Sequence, residues 1–257
     1  MNPIELHSLK SCDSTNTYAW NYFSENLSKK SSFDPQLFIT KIQTAGKGRQ
    51  GRSWNSSFEG NLYTSLLLKP DIQELPFLPL FAGIAAAKTL EPYLAANHLF
   101  HIKWPNDLRF DQKKLGGILC ESKITGESCN AAVIGLGINI VQSPQSVDIE
   151  TVSLKEFMNS SFLPQITNID FTKTLGIKWS ENLIEVTKNF KTLGFSYIRN
   201  EWLKYARLAK FSRYRTHDQS GNVIEIQAKD ISKDGHLIAL DIQSGKEIIL
   251  DQPLLLV

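Results

Sequence analysis

The sequence predicts an α+β fold in which a mixed or antiparallel sheet with flanking helices is followed by a small C-terminal β-barrel of the SH3 type. Three observations predict it. Residues 101–140 carry several apolar runs in close succession, HIKWPNDLRF, KLGGILCESK and NAAVIGLGINI, separated by tight polar turns near Asp111 and Gly126. Such spacing suits hairpins and leaves no room for the crossover helices of a doubly wound parallel sheet. Two long segments, from Phe77 to about Leu94 and over residues 170–206, have helical length and apolar spacing. Beyond Phe211 the composition changes to short strands punctuated by Ser220-Gly221-Asn222, Lys233-Asp234-Gly235 and Ser244-Gly245. The expected division is residues 1–208 and 209–257.

The elements follow in order. A short strand over residues 4–9 leads to Asp13-Ser14-Thr15, a helix start. Tyr18, Trp20, Tyr22, Phe23 and Leu27 then recur at near-helical steps, giving a helix to about residue 28. After the polar loop SKKSSFDP, LFITKIQ reads as a strand. TAGKGRQGRSWNSSFEG, residues 44–60, has no apolar period and reads as a loop. NLYTSLLL is a strand, and the apolar segment from Phe77 a core helix. In HIKWPNDLRF, Pro105 removes a backbone donor and must break or bulge the strand. In residues 170–206, Phe171, Leu175, Trp179, Leu183, Val186 and Phe190 mark one helical face. The last strands are VIEIQAKDI, HLIALDI and KEIIL.

Composition narrows the function classes. At 257 residues with 42% hydrophobic and 21% charged content, the chain can bury a sizeable core. A formal net charge of +2 argues against a general nucleic-acid binder, so no DNA partner is expected. Three cysteines, Cys12, Cys120 and Cys129, fit neither a zinc spacing nor a disulfide framework. The opening MNPIELHSLKSCDST lacks a signal-peptide pattern, and the apolar stretch at 75–90 is proline-containing and too short for a membrane span. A cytoplasmic protein without a membrane partner is the expectation.

The basic glycine loop carries the strongest chemistry. Gly46, Gly48 and Gly51 permit close backbone approach to a ligand, and Lys47, Arg49 and Arg52 add three cations with no acid before Glu59. Backbone N–H groups and arginine forks of this kind bind carboxylate or phosphate oxygens, and Trp54 offers a flat stacking face. A solvated flexible loop and a single-stranded nucleic-acid contact remain alternatives. No GK[ST] closes the loop, so it is not a P-loop, and it lies outside any βαβ dinucleotide turn.

Around Pro105, Lys103, Asn106 and Asp107 place three polar side chains where a regular strand would bury half of them. Asn106 has the donor and acceptor to read an adenine edge, and Asp107 the carboxylate to hold Mg²⁺. A plain turn with Trp104 in the core is the alternative. Lys114 precedes Gly116-Gly117, either in solvent or pointing into a pocket. Gly135-x-Gly137-x-Asn139 ends an apolar strand, where glycines allow close approach of a ligand or serve packing alone.

Taken in order, Ser14-Thr15-Asn16, the motif from Gln43 to Trp54, Lys103-Trp-Pro-Asn-Asp107, Lys114-Leu-Gly-Gly-Ile-Leu and Gly135-x-Gly-Ile-Asn139 closely resemble the biotin protein ligases. The resemblance is detailed from about residue 10 to 140. It implies a class II synthetase-like biotin/lipoate ligase catalytic domain that uses Mg²⁺, ATP and biotin and modifies a lysine of a biotin carboxyl carrier domain. It implies that Ser14, Thr15, Asn16 and Gln43 surround the ureido head of biotin. Gly46, Lys47, Gly48 and Arg49 would wrap the valeryl carboxylate and adjacent phosphate, with Lys114, Gly116 and Gly117 nearby. Arg49 and Lys114 would be catalytic. Arg49 and Arg52 would hold ATP phosphates, while Trp54, Lys103, Asn106, Gly135, Gly137 and Asn139 would lie around adenine and ribose. Asp107 would ligate Mg²⁺.

One position departs from the family pattern, which has Arg where Lys47 stands. If that residue acts through its backbone N–H, the exchange costs little. Ser14-Thr15-Asn16 arrives so early that no winged-helix repressor domain is expected ahead of it. Monomers and homodimers both occur in the resembling family. The alternative activity is lipoate or octanoate ligation or transfer, which would want an apolar tunnel where the Ser-Thr-Asn and Gln43 set stands.

Overall fold

The computed structural model describes residues 3–96, 98–145, 150–167, 170–218 and 220–251. Seven strands form the main sheet: β1 (Glu5–Cys12), β2 (Gln36–Gln43), β3 (Leu62–Leu68), β4 (Phe100–Lys103), β5 (Asp107–Phe110), β6 (Lys113–Thr125) and β7 (Ser128–Ile138). Their order is β1-β2-β3-β7-β6-β5-β4. Only β1 and β2 pair in parallel, joined by α1 (Thr15–Tyr22) and the π-helical turn Phe23–Leu27; every other pairing is antiparallel. The sheet is therefore mixed, as expected. The strand expected across Pro105 breaks into β4 and β5, which pair with each other through a Trp104–Asn106 turn.

Strand periodicity of two assigns the faces. On β2 Leu37 and Ile39, on β3 Leu62 and Leu66, and on β7 Ala132, Ile134, Leu136 and Ile138 point to the larger core. There they meet α2 (Leu78–Leu90), α3 (Phe171–Leu193) and α4 (Phe195–Ala206). Phe38, Leu67, Ala131 and Val133 point the other way, onto Ala19, Phe23 and Leu27 below α1. Eleven of the thirteen residues of α2 are buried, so this helix is apolar nearly all round and is enclosed rather than amphipathic. Trp179 fixes α3 against it by donating its indole N–H to the Ala82 carbonyl at 3.2 Å.

The helix expected over 170–206 is two helices. Gly194, at φ 72° and ψ −165°, ends α3 and starts α4. That conformation is open almost exclusively to glycine, and the unbroken apolar spacing around it masks the break.

The C-terminal strands form a second sheet, an antiparallel meander of β8 (Arg213–His217), β9 (Val223–Ile231), β10 (Leu237–Asp241) and β11 (Glu247–Leu250). β8 is additional to the three strands read from sequence. The meander docks through Arg199 of α4, whose guanidinium donates to both carboxylate oxygens of Asp230 at 2.8 Å. The β9–β10 turn also inserts against the main body, where Trp104 donates its indole N–H to the Gly235 carbonyl at 3.1 Å. Among the described residues no helix is long and apolar enough to cross a membrane.

Candidate functional site

A cavity of about 870 Å³ opens on the α1 side of the main sheet. The face that carries Ala131 and Val133 continues along β7 as Gly135 and Gly137, so the strand runs out of side chains where the cavity begins. The start of α1, the glycine loop, the Trp104–Asn106 turn and the start of β6 converge there, with Tyr63 and Thr64 of β3 and, beyond β7, Pro144, Gln145 and Thr151.

One end is polar and buried. Ser14, Thr15, Asn16 and Gln43 are each no more than 8% exposed. Ser14 is the N-cap of α1, yet its hydroxyl makes no capping bond. The Thr15 N–H donates to Gln43 Oε1 at 2.8 Å. Asn16 Nδ2 donates to Glu121 Oε2 at 2.7 Å, and Asn16 Oδ1 meets the Ser65 hydroxyl at 2.6 Å. Ser65 and Glu121 escaped sequence reasoning. The signal for Ser65 was a polar residue inside the otherwise apolar run of β3, but Glu121 looks like an ordinary strand-end charge.

The other end is cationic. The glycine loop is a small hairpin: Lys47 bridges Ser53, the Gly48 N–H donates to Arg52 O at 2.7 Å, and the Trp54 N–H donates to Gly46 O at 2.8 Å. Its tip turns through Gln50 and Gly51, both at positive φ. Arg49 reaches across the cavity and donates to Asn106 Oδ1 at 3.2 Å, while Asn106 Nδ2 donates to Ile118 O at 2.8 Å. Both ends of the Asn106 amide are thus engaged, and Asn106 clasps the loop instead of presenting a free edge to an adenine.

Lys114 lies over the Trp54 ring, its ammonium 5.6 Å from the ring centroid and 2.7 Å from Asp107 Oδ1. Arg109 donates to Asp107 Oδ2 at 3.2 Å. Burial pushes the Asp107 carboxyl up, but Lys114, Arg109 and Lys103 together outweigh it and hold the group below the usual aspartate range. Burial, aided by the Arg109 charge, pushes the Lys103 ammonium down to about 8. Lys103 also lies over the Tyr214 ring of β8, 5.2 Å from its centroid.

The donor set does not fit a protein-held Mg²⁺. Both Asp107 oxygens face cations, and among the described residues no cluster of three or more His, Cys, Asp or Glu could hold a metal. A hard cation with near-octahedral demands would have to displace two ion pairs. Asp107 is better read as the anion that orients Lys114.

Most sequence-selected residues line this one cavity: Ser14, Thr15, Asn16, Gln43, Lys47, Gly48, Arg49, Arg52, Trp54, Lys103, Asn106, Asp107, Lys114, Gly117, Gly135 and Gly137. Gly46, Gly116 and Asn139 do not. A Cβ on Gly46 would lie 2.4 Å from the Trp54 carbonyl, and one on Gly116 2.5 Å from the Gly137 carbonyl. Those glycines serve backbone packing. Asn139 is fully buried and donates to the Val152 carbonyl at 3.3 Å, tying down the segment after β7. The bare positions at Gly135 and Gly137 are also taken up internally. Cβ atoms there would lie 2.3 Å from Asn16 Oδ1 and 2.7 Å from Trp54 Nε1, so the missing side chains make room for these two residues.

Comparisons with known proteins place the chain among relatives. The family model described as Biotin/lipoate A/B protein ligase family matches residues 8–139. The Bifunctional ligase/repressor BirA of Bacillus subtilis is 29% identical over 185 residues, 71% of this chain and 55% of that protein. The chain thus spans about half the length of that curated relative. The Biotin--[acetyl-CoA-carboxylase] ligase of Paracoccus denitrificans is 30% identical over 180 residues, 67% of this chain and 71% of that protein. Among solved structures, the biotin protein ligase from Aquifex aeolicus in complex with biotin and ATP superposes with a TM-score of 0.67 at 25% identity, covering 96% of this chain and 99% of that one.

Proposed function

We propose that this chain, which belongs to the biotin/lipoate A/B protein ligase family, is a biotin protein ligase that activates biotin with ATP and passes it to a lysine of a biotin carboxyl carrier domain. The observation that carries this reading is the polarity of one cavity, with a buried hydrogen-bonding set at one end and Arg49, Arg52 and Lys114 at the other. A urea ring needs matched donors and acceptors, whereas the apolar tail of lipoate would leave Thr15, Asn16 and Gln43 facing hydrocarbon, at a cost for each group. Relatives bearing biotin ligase names, one of them solved with biotin and ATP, support the same reading.

In the first step a biotin carboxylate oxygen bonds to the α-phosphorus of ATP, and the bond to the bridging oxygen of pyrophosphate breaks. The enzyme's work is to align the two anions and neutralise charge. Lys114, held by Asp107, faces the reacting carboxylate. Arg49 and Arg52 stand on the phosphate side, and the glycine loop shields the mixed anhydride from water. In the second step a carrier lysine amine attacks the acyl carbon, the bond to AMP breaks, and the amine gives up a proton. Mg²⁺ enters with ATP on its phosphate oxygens, as part of the substrate. No covalent nucleophile is required, and Cys12, Cys120 and Cys129 are all free thiols, which supports a cytoplasmic, reducing setting. A catalytic unit of residues 1–208 and a C-terminal unit of 209–257 complete the reading, supported by the separate second sheet.

Mass spectrometry of a purified carrier domain incubated with this chain, ATP, Mg²⁺ and either biotin or lipoate tests the proposal. An ATP-dependent gain of one biotin is expected. A gain with lipoate alone, or with neither acid, would overturn it.

A further inference from the structure

Across three strands of the main sheet, Ser65 of β3, Gly135 of β7 and Leu119 of β6 share one register row. Asn16 lies over that row. Its Nδ2 donates to Glu121 Oε2 at 2.7 Å and contacts the Leu119 carbonyl at 3.4 Å, and its Oδ1 meets Ser65 Oγ at 2.6 Å. Ser65 Oγ is also 2.7 Å from Thr15 Oγ1, which lies 3.1 Å from Gln43 Oε1.

The proton directions in this chain follow from its two ends. At one end the Thr15 backbone N–H can only donate, so the Gln43 amide must turn its oxygen to it and its Nε2 away. At the other end the Glu121 carboxylate can only accept, so the Asn16 amide must turn its nitrogen to it and its oxygen to Ser65. Two hydroxyl protons remain. If Ser65 donated to Thr15, the 2.6 Å contact between Ser65 Oγ and Asn16 Oδ1 would have two acceptors and no proton. Three contacts share these two protons: Ser65 gives its own to the shortest, 2.6 Å to Asn16 Oδ1, and Thr15 gives its own to Ser65 at 2.7 Å in preference to Gln43 Oε1 at 3.1 Å, which already accepts from the Thr15 N–H. Thr15 Oγ1 then accepts from nothing in the chain and keeps its lone pairs for the cavity it lines.

We infer that Glu121 is a positioning residue that sets the direction of the relay Thr15–Ser65–Asn16, so that the cavity presents an acceptor at Thr15 Oγ1 beside a donor at Gln43 Nε2. Such a pair is complementary to the adjacent N–H and C=O of a cyclic urea, and the inference rests on the biotin reading above. Glu121 touches no substrate in this role. Replaced by glutamine, it can donate as well as accept, and only the 3.4 Å contact to the Leu119 carbonyl is left to oppose a flip of the Asn16 amide, which the variant therefore populates. Ser65 must then turn its proton to Thr15, and the acceptor facing the ligand is weakened.

The test compares wild type, Glu121→Gln and Ser65→Ala for the KM of biotin, the KM of ATP, kcat and Tm. Biotin methylated at either ureido nitrogen, each isomer tested separately, serves as the probe. Glu121→Gln is expected to raise the biotin KM about tenfold, the size of one hydrogen bond, with the ATP KM and kcat within about twofold. For one of the two methylated isomers the penalty relative to biotin should shrink in the variant, because the acceptor it offends is already lost. Ser65→Ala, which removes the proton that would turn to Thr15, should by itself leave the biotin KM within about twofold, and added to Glu121→Gln it should bring the raised KM back towards wild type. A wild type that ligates biotin while Glu121→Gln keeps its KM, or while Ser65→Ala by itself raises that KM about tenfold, overturns the inference alone. A fall in Tm with KM and kcat moving together assigns Glu121 a purely structural role and also overturns it. A wild type that takes lipoate and not biotin overturns both this and the biotin reading.

Discussion

Lys103 is buried beside Arg109, and the two effects together bring its ammonium down to about 8 against the partial support of Asp107. Because the folded value lies below the ordinary lysine value, the unfolded chain binds more protons between about 8 and the ordinary 10.5. This group's contribution to stability therefore grows as pH rises through that window, while its charge is lost from the site. If the charge meets ATP, kcat/KM for ATP falls as pH passes about 8. Lys103→Arg, which cannot deprotonate, should flatten that alkaline limb, and a pH–rate profile of the two proteins checks it. Lys114 is the complementary case. Lys114→Ala should lower the adenylation rate on the order of 10²-fold, as removal of a cation aimed at developing charge does. Pyrophosphate release in a single turnover measures it, with little change in biotin affinity. Lys47→Arg should leave adenylate retention unchanged, because the residue is held through a backbone bridge to Ser53.

At the scale of elements, the glycine loop is a hairpin latched to the Trp104–Asn106 turn through Arg49 and Asn106. Arg49→Ala should release the latch and leak free biotinyl-adenylate into solution, which thin-layer chromatography of labelled product reads directly. Gly46→Ala should cost about 1–3 kcal/mol in a denaturant melt, the usual cost of overpacking, because its Cβ would press on the Trp54 carbonyl. These elements differ in how much of them the sequence discloses. Strand and helix identities follow from apolar period, and the ligand-facing segments announce themselves as Gly, Lys and Arg where no period runs. What stays hidden is relational. Gly194 breaks a helix without disturbing its apolar spacing, and Glu121 matters only because the β6–β7 register sets it opposite Asn16. Gly135 and Gly137 read as room for a ligand, yet the room is filled by Asn16 and Trp54, which arrive from more than 80 residues away. Both amide ends of Asn106 are claimed by distant partners, Arg49 and Ile118, which no local spacing reveals, while both oxygens of Asp107 are taken by the nearby Arg109 and Lys114 only because the β5–β6 hairpin folds them back.

At the scale of the whole molecule, the second sheet is fastened to the cavity's own walls. Tyr214 stands over Lys103, and the Gly235 carbonyl receives the Trp104 indole. Gly235 sits at φ 79°, and a Cβ there would lie 2.9 Å from the Pro76 carbonyl, so Gly235→Ala should both strain the turn and lift the sheet from its seat. Trp104→Phe removes the donor together with part of a buried ring, and should cost at least the about 1–3 kcal/mol of a buried acceptor left alone. For both variants the KM of ATP should rise more than that of biotin, since Lys103 and Asn106 flank the loosened joint while Ser14, Thr15 and Asn16 lie at the other end. Steady-state kinetics in each substrate separates the two.

Trp104 and Gly235 are 131 residues apart in sequence. While the chain is being synthesised, the turn that carries Asn106 emerges from the ribosome long before the carbonyl that braces it exists. A prematurely terminated chain would hold the residues of the main sheet and of the cradle around Ser14 to Gln43, and still lack the brace beside Lys103 and part of the shared apolar core. The joint beside the cavity, with the Arg199–Asp230 pair and the Tyr214 ring over Lys103, is thus assembled only when the last strands have been made.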